Sequence, residues 1–189
     1  PQTPNPKPQP LVSYVFVSEV NIHFTNSACR CVSSNVLSLF NNLLGTFPQI
    51  EMLIGYGSGV FPQKNHQSNR MVDIILVVDN LREFHDRNLA IHPEHYSRPT
   101  ILSKELVSRV CSKLSPVYFF PFCQSDHIKY KYGVVTKEAF LDDLNNWSHF
   151  TLAGRLQKPT YFSNHQVRGF DEALIKNRKK AVALKVNYL

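Results

Sequence analysis

The chain has 189 residues, of which 43% are hydrophobic and 19% charged, a composition that can fill a core and excludes wholesale disorder. Its apolar runs fall short of the roughly 18 to 20 residues of a membrane-spanning helix, which excludes an integral membrane protein for this part of the chain. The net charge of +7 favours polyanionic partners such as nucleotides, nucleic acid or an acidic membrane surface.

The first third of the chain begins with a tail and continues with short elements. Residues 1–10 contain five prolines and are predicted to form an extended tail. A short strand or a buried turn is predicted at 14–20. Apolar residues then recur at helical spacing over 36–44, behind two serines that can cap the helix, and Gly45 is the predicted stop.

The next segment has two predicted strands with glycines between them. Alternating residues predict a half-buried strand at 50–54, which leads directly into the glycine-rich run 55–59. Residues 60–70 have no apolar period and are predicted to form a loop. The β-branched run 71–79 predicts a strand in the centre of a sheet.

The second half of the chain alternates predicted helices and strands. They are a helix at 81–89, a loop at 92–99, a helix at 101–114, strands at 117–122 and 128–136 joined by a turn at 124–127, a helix at 137–147, and a final helix at 171–188. Two adjacent strands among alternating elements predict an α/β (α+β) fold with a mixed sheet flanked by helices. The final helix has a basic face, which suits either anionic lipid or solvent: Lys176, Arg178, Lys179, Lys180 and Lys185.

The four cysteines do not form a recognisable metal or disulfide pattern. Cys29 and Cys31 are too close together for an ordinary zinc knuckle, and Cys111 and Cys123 stand alone. We therefore expect four thiols, buried or half-buried, in a reducing compartment.

The glycine-rich run is the first candidate for chemistry. Gly57 and Gly59 follow a predicted strand, where their backbone can approach a phosphate group closely, and Ser58 adds a hydroxyl. Asp73 on the next strand can hold Mg²⁺ against the same phosphates. The run lacks the ending of a Walker loop and the spacing of the dinucleotide fingerprint, and an ordinary tight turn remains the alternative.

Several motifs together resemble one family. Gly57-Ser58 followed by Asp73 resembles the signature of the polymerase-β-type nucleotidyltransferase fold, and the chain is similar more narrowly to the mitochondrial phosphatidate cytidylyltransferases, also called translocator assembly and maintenance proteins. The matching blocks are Tyr56 to Phe61, Met71 to Asp73, His85 with Asn88-Leu89, His95 to Ser97, Lys131 to Val134, Asp143-Leu144 with Trp147, and Ala153 to Pro159.

The resemblance implies an activity and a location. Members of this family use CTP, phosphatidic acid and Mg²⁺ to make CDP-diacylglycerol on the matrix side of the mitochondrial inner membrane, for cardiolipin synthesis. It also implies a nucleotidyltransferase domain at 11–165, with residues 166–189 beginning a C-terminal helical, winged-helix-like region that continues past this chain. The expected protein is peripheral to the membrane and does not bind nucleic acid.

The resemblance also implies a set of site residues. Asp73 is expected to bind the metal and act in catalysis with Lys131, and Tyr56, Gly57, Ser58, Gly59 and Lys131 are expected to bind the nucleotide. His95, Tyr96, Arg155 and Lys158 are expected to contact substrate phosphates, with Arg155 and Lys158 in a loop after a helix. Simpler interpretations remain open, namely a plain turn, exposed cations and an ordinary loop histidine.

Two acidic residues near these motifs have open interpretations. Asp79 shares a strand face with Asp73 but lies about 20 Å along it, too far for one ion, and is interpreted as a strand-end or helix-cap residue. Asp143 is interpreted as a cap or as a residue that orients a cation, while other metal ligands come from phosphates, water or distant acids such as Asp126 and Asp142. Trp147 is interpreted as a core residue rather than a platform for base stacking.

Two other functions remain alternatives to the cytidylyltransferase. One is a nucleotidyltransferase with another acceptor, and the other is a non-catalytic assembly factor for membrane translocases in which the glycine run is only structural. The second alternative predicts no Mg²⁺-dependent nucleotide binding.

Overall fold

The computed structural model describes residues 32–62, 70–96, 116–163 and 167–187, with the side chains of the last range described to residue 184. In this part of the chain, helices cover both faces of a five-stranded sheet. The strands are β1 (Met52–Tyr56), β2 (Val72–Val78), β3 (Tyr118–Ser125), β4 (Ile128–Thr136) and β5 (Thr160–Ser163), in the spatial order β3-β4-β2-β1-β5.

The sheet is mixed, as the two adjacent predicted strands indicate. β2 and β4 run parallel, whereas β1 with β2, β1 with β5, and β3 with β4 run antiparallel. β2 is the central strand, and six of its seven residues are at most 1% exposed, the exception being Asp73. The predicted α/β class with a mixed sheet flanked by helices is therefore confirmed.

The helices begin at capping residues that the sequence supplies. They are α1 (Ser34–Thr46), α2 (Leu81–Ile91), α3 (Lys137–Asn146), α4 (Thr151–Arg155) and α5 (Phe170–Asn187), with a 3₁₀ turn at Pro93–His95. Ser33 caps α1, Asn80 caps α2 and Thr136 caps α3, each through its side-chain oxygen. The prediction that α1 stops at Gly45 is wrong, because the helix continues to Thr46. None of the described helices is long and apolar enough to cross a membrane.

The two faces of the sheet pack against different helices. What we call the first face buries Leu53, Ile74 and Tyr132 against α1, α2 and the 3₁₀ turn. The second face buries Ile54 and Ile75 against α3, α4 and α5. Because side chains alternate along a strand, the side chains of consecutive residues in one motif point to opposite faces of the sheet.

Some predicted elements differ from the structure or lie outside the described residues. β1 is buried on both faces, since Leu53 and Ile54 are each 0% exposed, so the prediction of a half-buried strand is wrong. Sequence analysis did not predict α4 or β5. Outside the described residues lie the predicted strand at 14–20, the helix at 101–114, most of the loop at 60–70, and three cysteines, whereas Cys123 is a buried free thiol as expected.

Candidate active site

Asp73 and Lys131 form an ion pair on the second face, near the start of β2. They are direct partners in the parallel register of β2 and β4, and the Lys131 Nζ atom lies 2.9 Å from Asp73 Oδ1. The Asp73 side chain is 20% exposed and that of Lys131 is 41% exposed. The structure therefore brings together the two residues that were predicted to be catalytic. They lie at the end of two adjacent strands of the sheet, where solvent can reach them.

The glycine-rich run forms a tight turn directly against Asp73. Gly57 has a φ of +79°, and a Cβ added there would lie 2.8 Å from Asp73 Oδ2, so both conformation and space favour glycine. The turn is closed by the Val60 and Phe61 amides, which donate to Gly57 O at 3.2 and 3.0 Å. Among the described residues, neither the Ser58 nor the Gly59 amide has an acceptor, which leaves both donors for an anion.

Gly59 is also held against the strand that carries Asp73. A Cβ at Gly59 would lie 2.2 Å from Met71 O, so only glycine allows this approach. The turn, with Ser58 at its tip, is therefore fixed beside the carboxylate. Phosphate binding by this turn stays a prediction, with an ordinary tight turn as its alternative.

Arg155 and Lys158 add positive charge to the same region. The Arg155 Cζ atom lies 5.7 Å from the centroid of the Tyr56 ring, and Lys158 is exposed three residues later, where its amide donates to Arg155 O at 3.2 Å. Lys158 is two residues before Thr160, which pairs with Tyr56 across β1 and β5. The prediction that Arg155 lies in a loop is wrong, because it is the last residue of α4.

The protonation of the site residues follows from their surroundings. Contact with the Asp73 carboxylate raises the pKa of Lys131 above its ordinary value, against a smaller opposing effect of burial. Burial also raises the pKa of the Tyr56 hydroxyl, although a hydrogen bond to Arg155 opposes this rise. Lys131 therefore remains a cation and Tyr56 a neutral phenol at neutral pH, so each acts through charge or hydrogen bonding rather than as a base.

The residues at this site fit a magnesium ion. Asp73 Oδ1 is buried, and the Lys131 ammonium is its one polar contact among the described residues. Met71, just before β2, and Ile75 on it are the residues two positions away from Asp73, so no second acid stands beside the carboxylate along the chain. Mg²⁺ commonly takes one or two carboxylates and completes its shell with phosphates and water, a requirement that Asp73 meets.

The other acidic residues have different roles. Asp143 is 0% exposed, and its two oxygens accept from the backbone amides of His149, Phe150, Leu152 and Ala153 at 2.6 to 3.1 Å. Asp79 follows the last residue of β2, where it pairs with Lys137, and Asn80 rather than Asp79 caps α2. Asp143 is thus a helix-capping residue, one of its two interpretations, and Asp79 is a strand-end residue.

His95 and Tyr96 lie on the first face, away from the Asp73 pair. Tyr132 of β4 points to that face, and its hydroxyl lies 3.0 Å from His95 Nδ1 and accepts from Asn88 Nδ2 at 3.0 Å. Asn88 also donates to the Tyr96 hydroxyl at 3.0 Å, which lies 3.0 Å from His85 Nδ1. The structure therefore joins the His95 and His85 motifs to each other but not to Asp73, and their proposed contact with substrate stays a prediction.

The two histidines of this network, His85 and His95, are uncharged at neutral pH. Burial lowers the pKa of His85 to about 4, with a small opposing effect of Asp86, and burial likewise lowers the pKa of His95. His92, Glu94 and His95 bring their ligand atoms within 4.8 Å of one another, but the two imidazole planes are stacked 13° from parallel. The nitrogen lone pairs of two stacked parallel rings lie in separate planes, so His92 and His95 are not oriented to bind one metal ion together.

Sequence analysis missed Phe119, whose ring lies near Arg155, with 5.6 Å between the ring centroid and Cζ. It gave no signal for this contact, because the two residues belong to different elements far apart in the sequence. It also left the role of Asp143 open, since the bonded amides lie up to ten residues further along the chain.

The chain matches a protein family over most of its described length. The family model described as "Phosphatidate cytidylyltransferase, mitochondrial" matches residues 40–187. That interval contains all the residues of the candidate site, from the glycine turn to Lys158, together with both faces of the sheet.

Individual relatives have the same description. A mitochondrial phosphatidate cytidylyltransferase of Saccharomyces cerevisiae is 42% identical over 120 residues, covering 61% of this chain and 31% of its own length. That of Rattus norvegicus is 36% identical over 146 residues, covering 74% of this chain and 43% of its own. That of Homo sapiens is 32% identical over 149 residues, with 76% and 33% covered. The chain thus spans about a third to less than half of the relatives it matches.

Proposed function

This chain belongs to the family of mitochondrial phosphatidate cytidylyltransferases, and we propose that it forms the nucleotidyltransferase domain that joins CTP to phosphatidic acid. The reaction would release pyrophosphate and yield CDP-diacylglycerol.

One observation supports the proposal most directly. A carboxylate, a lysine and a glycine turn with open amides lie together at one end of the central strands. Asp73 Oδ1 is 2.9 Å from Lys131 Nζ, and a Cβ added at Gly57 would lie 2.8 Å from Asp73 Oδ2. This combination suits a nucleoside triphosphate, because its phosphates need both cationic groups and backbone donors. We propose a polymerase-β-type nucleotidyltransferase fold for this domain, although Asp73 lacks the second carboxylate two residues away that the broad pattern of that fold has.

The chemistry needs charge stabilisation more than proton transfer. A phosphate oxygen of phosphatidic acid attacks the α-phosphorus of CTP, a new P–O bond forms, and the bond from that phosphorus to the bridging oxygen breaks with its electron pair leaving on pyrophosphate. The attacking oxygen is already anionic, so no strong general base is required. Lys131, Arg155 and Lys158 would bind and align the phosphates and stabilise the transferred charge.

The glycine turn and Tyr56 would hold the nucleotide in position. The Ser58 and Gly59 amides would donate to the triphosphate, and the neutral Tyr56 hydroxyl would contribute a further hydrogen bond. Asp73 would hold Mg²⁺, which when bound would neutralise phosphate charge and polarise the reacting phosphate.

We propose a peripheral location on the matrix side of the mitochondrial inner membrane, with the product used for cardiolipin synthesis. The relatives are named mitochondrial, and the net charge of +7 suits an anionic membrane surface. On α5, Lys176 and Lys179 are exposed and available for such a surface. Lys180 is used differently, since its Nζ donates to Asn145 O at 2.6 Å, and the side chain of Lys185 lies outside those described.

The proposal is tested by nucleotide binding followed by product formation. Titration calorimetry on the full-length protein would compare CTP with ATP, GTP and UTP, with and without Mg²⁺. We expect Mg²⁺-dependent binding selective for CTP, which Asp73→Ala abolishes. Radiolabelled CTP with phosphatidic acid in vesicles should then give labelled lipid with the wild type only.

Asp79→Ala is the matched control, because Asp79 is an exposed acid beyond the other end of the same strand. It should bind CTP and form product as the wild type does. Normal product formation by folded Asp73→Ala would remove Asp73 from the mechanism. Label transferred to another acceptor would favour a different nucleotidyltransferase, and the absence of any nucleotide binding would favour an assembly factor.

A further inference from the structure

The Arg155 guanidinium lies between two aromatic rings. Its Cζ atom is 5.7 Å from the centroid of the Tyr56 ring and 5.6 Å from that of the Phe119 ring. These distances are those of cation–π contacts. The rings come from β1 and β3, which are not neighbours in the sheet. Arg155, at the end of α4, therefore contacts residues of two separate strands.

A missing side chain makes room for the Phe119 ring. Phe119 pairs with Gly133 across β3 and β4, and a Cβ added at Gly133 would lie 2.8 Å from Phe119 Cε1. Such an approach is closer than carbon atoms allow, so any other residue at 133 would push the ring away. Lys131 precedes Gly133 by two residues on the same face of β4, which places the ring beside the Asp73–Lys131 pair.

The aromatic contacts compensate for an unfavourable charge arrangement. Arg155 lies close enough to Lys131 to lower the pKa of that lysine, although the Asp73 carboxylate has the larger, opposite effect. Two cations near one another repel, and Asp73 is already paired with Lys131. Ring faces attract a guanidinium without occupying its N–H groups.

The donors of Arg155 are accordingly only partly used. Nη1 donates to the Thr151 carbonyl within α4, and the guanidinium lies near enough to the Tyr56 hydroxyl to oppose the rise in its pKa that burial causes. A guanidinium has five N–H donors, so several are left for a phosphate group. The rings thus hold the cation in place while its planar fork stays available.

We propose that Phe119 is a positioning residue that acts through Arg155. Together with Tyr56 it holds the guanidinium beside the Asp73–Lys131 pair, oriented for a substrate phosphate, and Gly133 is required so that the Phe119 ring can lie across β4. This role rests on the proposed cytidylyl transfer, but the contact itself does not, so the two are tested separately.

The contact is tested first by NMR on the full-length protein labelled with ¹⁵N-arginine. The Arg155 Nε–H resonance, identified by its loss in Arg155→Met, should show a ring-current shift in the wild type. Phe119→Leu should reduce that shift, and Phe119→Tyr should retain it. An Arg155 resonance without a ring-current shift, or one indifferent to Phe119→Leu, would overturn the proposal whatever the activity of the protein.

The function is tested by a double-mutant cycle in the assay of labelled lipid. Phe119→Leu should lower kcat/KM by roughly two- to thirtyfold, the range of one cation–π contact, and Phe119→Tyr should restore most of it. In the Arg155→Met background, Phe119→Leu should cause no further loss. A loss of equal size in both backgrounds would show that Phe119 does not act through Arg155.

Phe122→Leu is the matched control for the substitution. Phe122 lies on the same strand and is 87% exposed, so kcat/KM and the Arg155 resonance should both match the wild type. If the wild type transfers no cytidylyl group, the proposed function fails, and the NMR comparison alone decides whether Phe119 positions Arg155.

Discussion

Replacing Asp143 with asparagine tests whether this acid serves the fold or the chemistry. Its carboxylate is fully buried, with Oδ1 accepting from the His149 and Phe150 amides and Oδ2 accepting from the Leu152 and Ala153 amides. In Asp143→Asn, one of these oxygens becomes an NH₂ group that faces two N–H donors. Two hydrogen bonds to a charged acceptor are then lost, with two amides left unsatisfied.

The expected destabilisation follows from the value of such bonds. A hydrogen bond to a charged group contributes about 1.5 to 3 kcal/mol, so Asp143→Asn should lower the free energy of unfolding by about 3 to 6 kcal/mol. Natural domains have a total of about 5 to 15 kcal/mol, so the loss should be visible in urea denaturation followed by circular dichroism. Turnover should fall as well, because the capped segment begins α4, which ends at Arg155.

Asp142→Asn is the control, since the two acids are neighbours in sequence but differ in burial. Asp142 is exposed and bonds to the Asn146 side chain at 2.7 Å, so its replacement should cost less than about 1 kcal/mol. If Asp143→Asn unfolds at the same urea concentration as Asp142→Asn while losing turnover, the carboxylate acts in the chemistry and the capping argument is refuted.

Two further predictions concern the glycine turn and the buried histidine. Gly57→Ala should lower turnover at least tenfold, because φ is +79° and the added Cβ would lie 2.8 Å from Asp73 Oδ2. Gly45→Ala is the control and should leave turnover unchanged, because Gly45 lies in α1 and a Cβ added there meets no atom within 4 Å. Equal turnover in the two variants would refute the steric argument. The pKa of His85 near 4 lies below the value of 6.5 expected in the unfolded chain, so stability should be complete above pH 6.5 and fall by up to about 3 kcal/mol as pH decreases towards 4. Urea titrations at pH 7 and 4.5 should show that the free energy of unfolding loses this pH dependence in His85→Gln and keeps it in the exposed control His127→Gln. If the free energy of unfolding of His85→Gln still falls between the two pH values, the dependence belongs to other groups.

The elements that sequence analysis predicted correctly are those with a periodic pattern. The buried β-branched run predicted β2, and helical spacing predicted α1, α2 and α3 to within two residues at each end. α4 and β5 have five and four residues, too few for any period to show. Their positions depend instead on Asp143 and on pairing with β1, which are tertiary interactions that a local pattern does not contain.

The site residues were predicted from the family resemblance and its motifs rather than from a periodic pattern. Gly57 follows β1, Asp73 lies on β2 and Lys131 lies on β4, and the register of these neighbouring strands brings the three residues together. Arg155 reaches the site only through α4, and its contact with Phe119 depends on the absence of a side chain at Gly133. Neither condition is visible from spacing along the chain.

The network on the first face explains how polar motif residues far from the Asp73 pair can still matter to it. Asn88 of α2 donates to the hydroxyls of Tyr96 and Tyr132, so it ties both the helix and the residue after the 3₁₀ turn to β4. Tyr132 follows Lys131 directly, and the two side chains leave β4 on opposite faces. Since a strand is rigid over two residues, fixing Tyr132 on one face fixes the backbone from which Lys131 reaches Asp73 on the other. The buried polar groups therefore help to hold the strand that carries Lys131 in register, which accounts for the burial of these polar residues without requiring that they contact substrate.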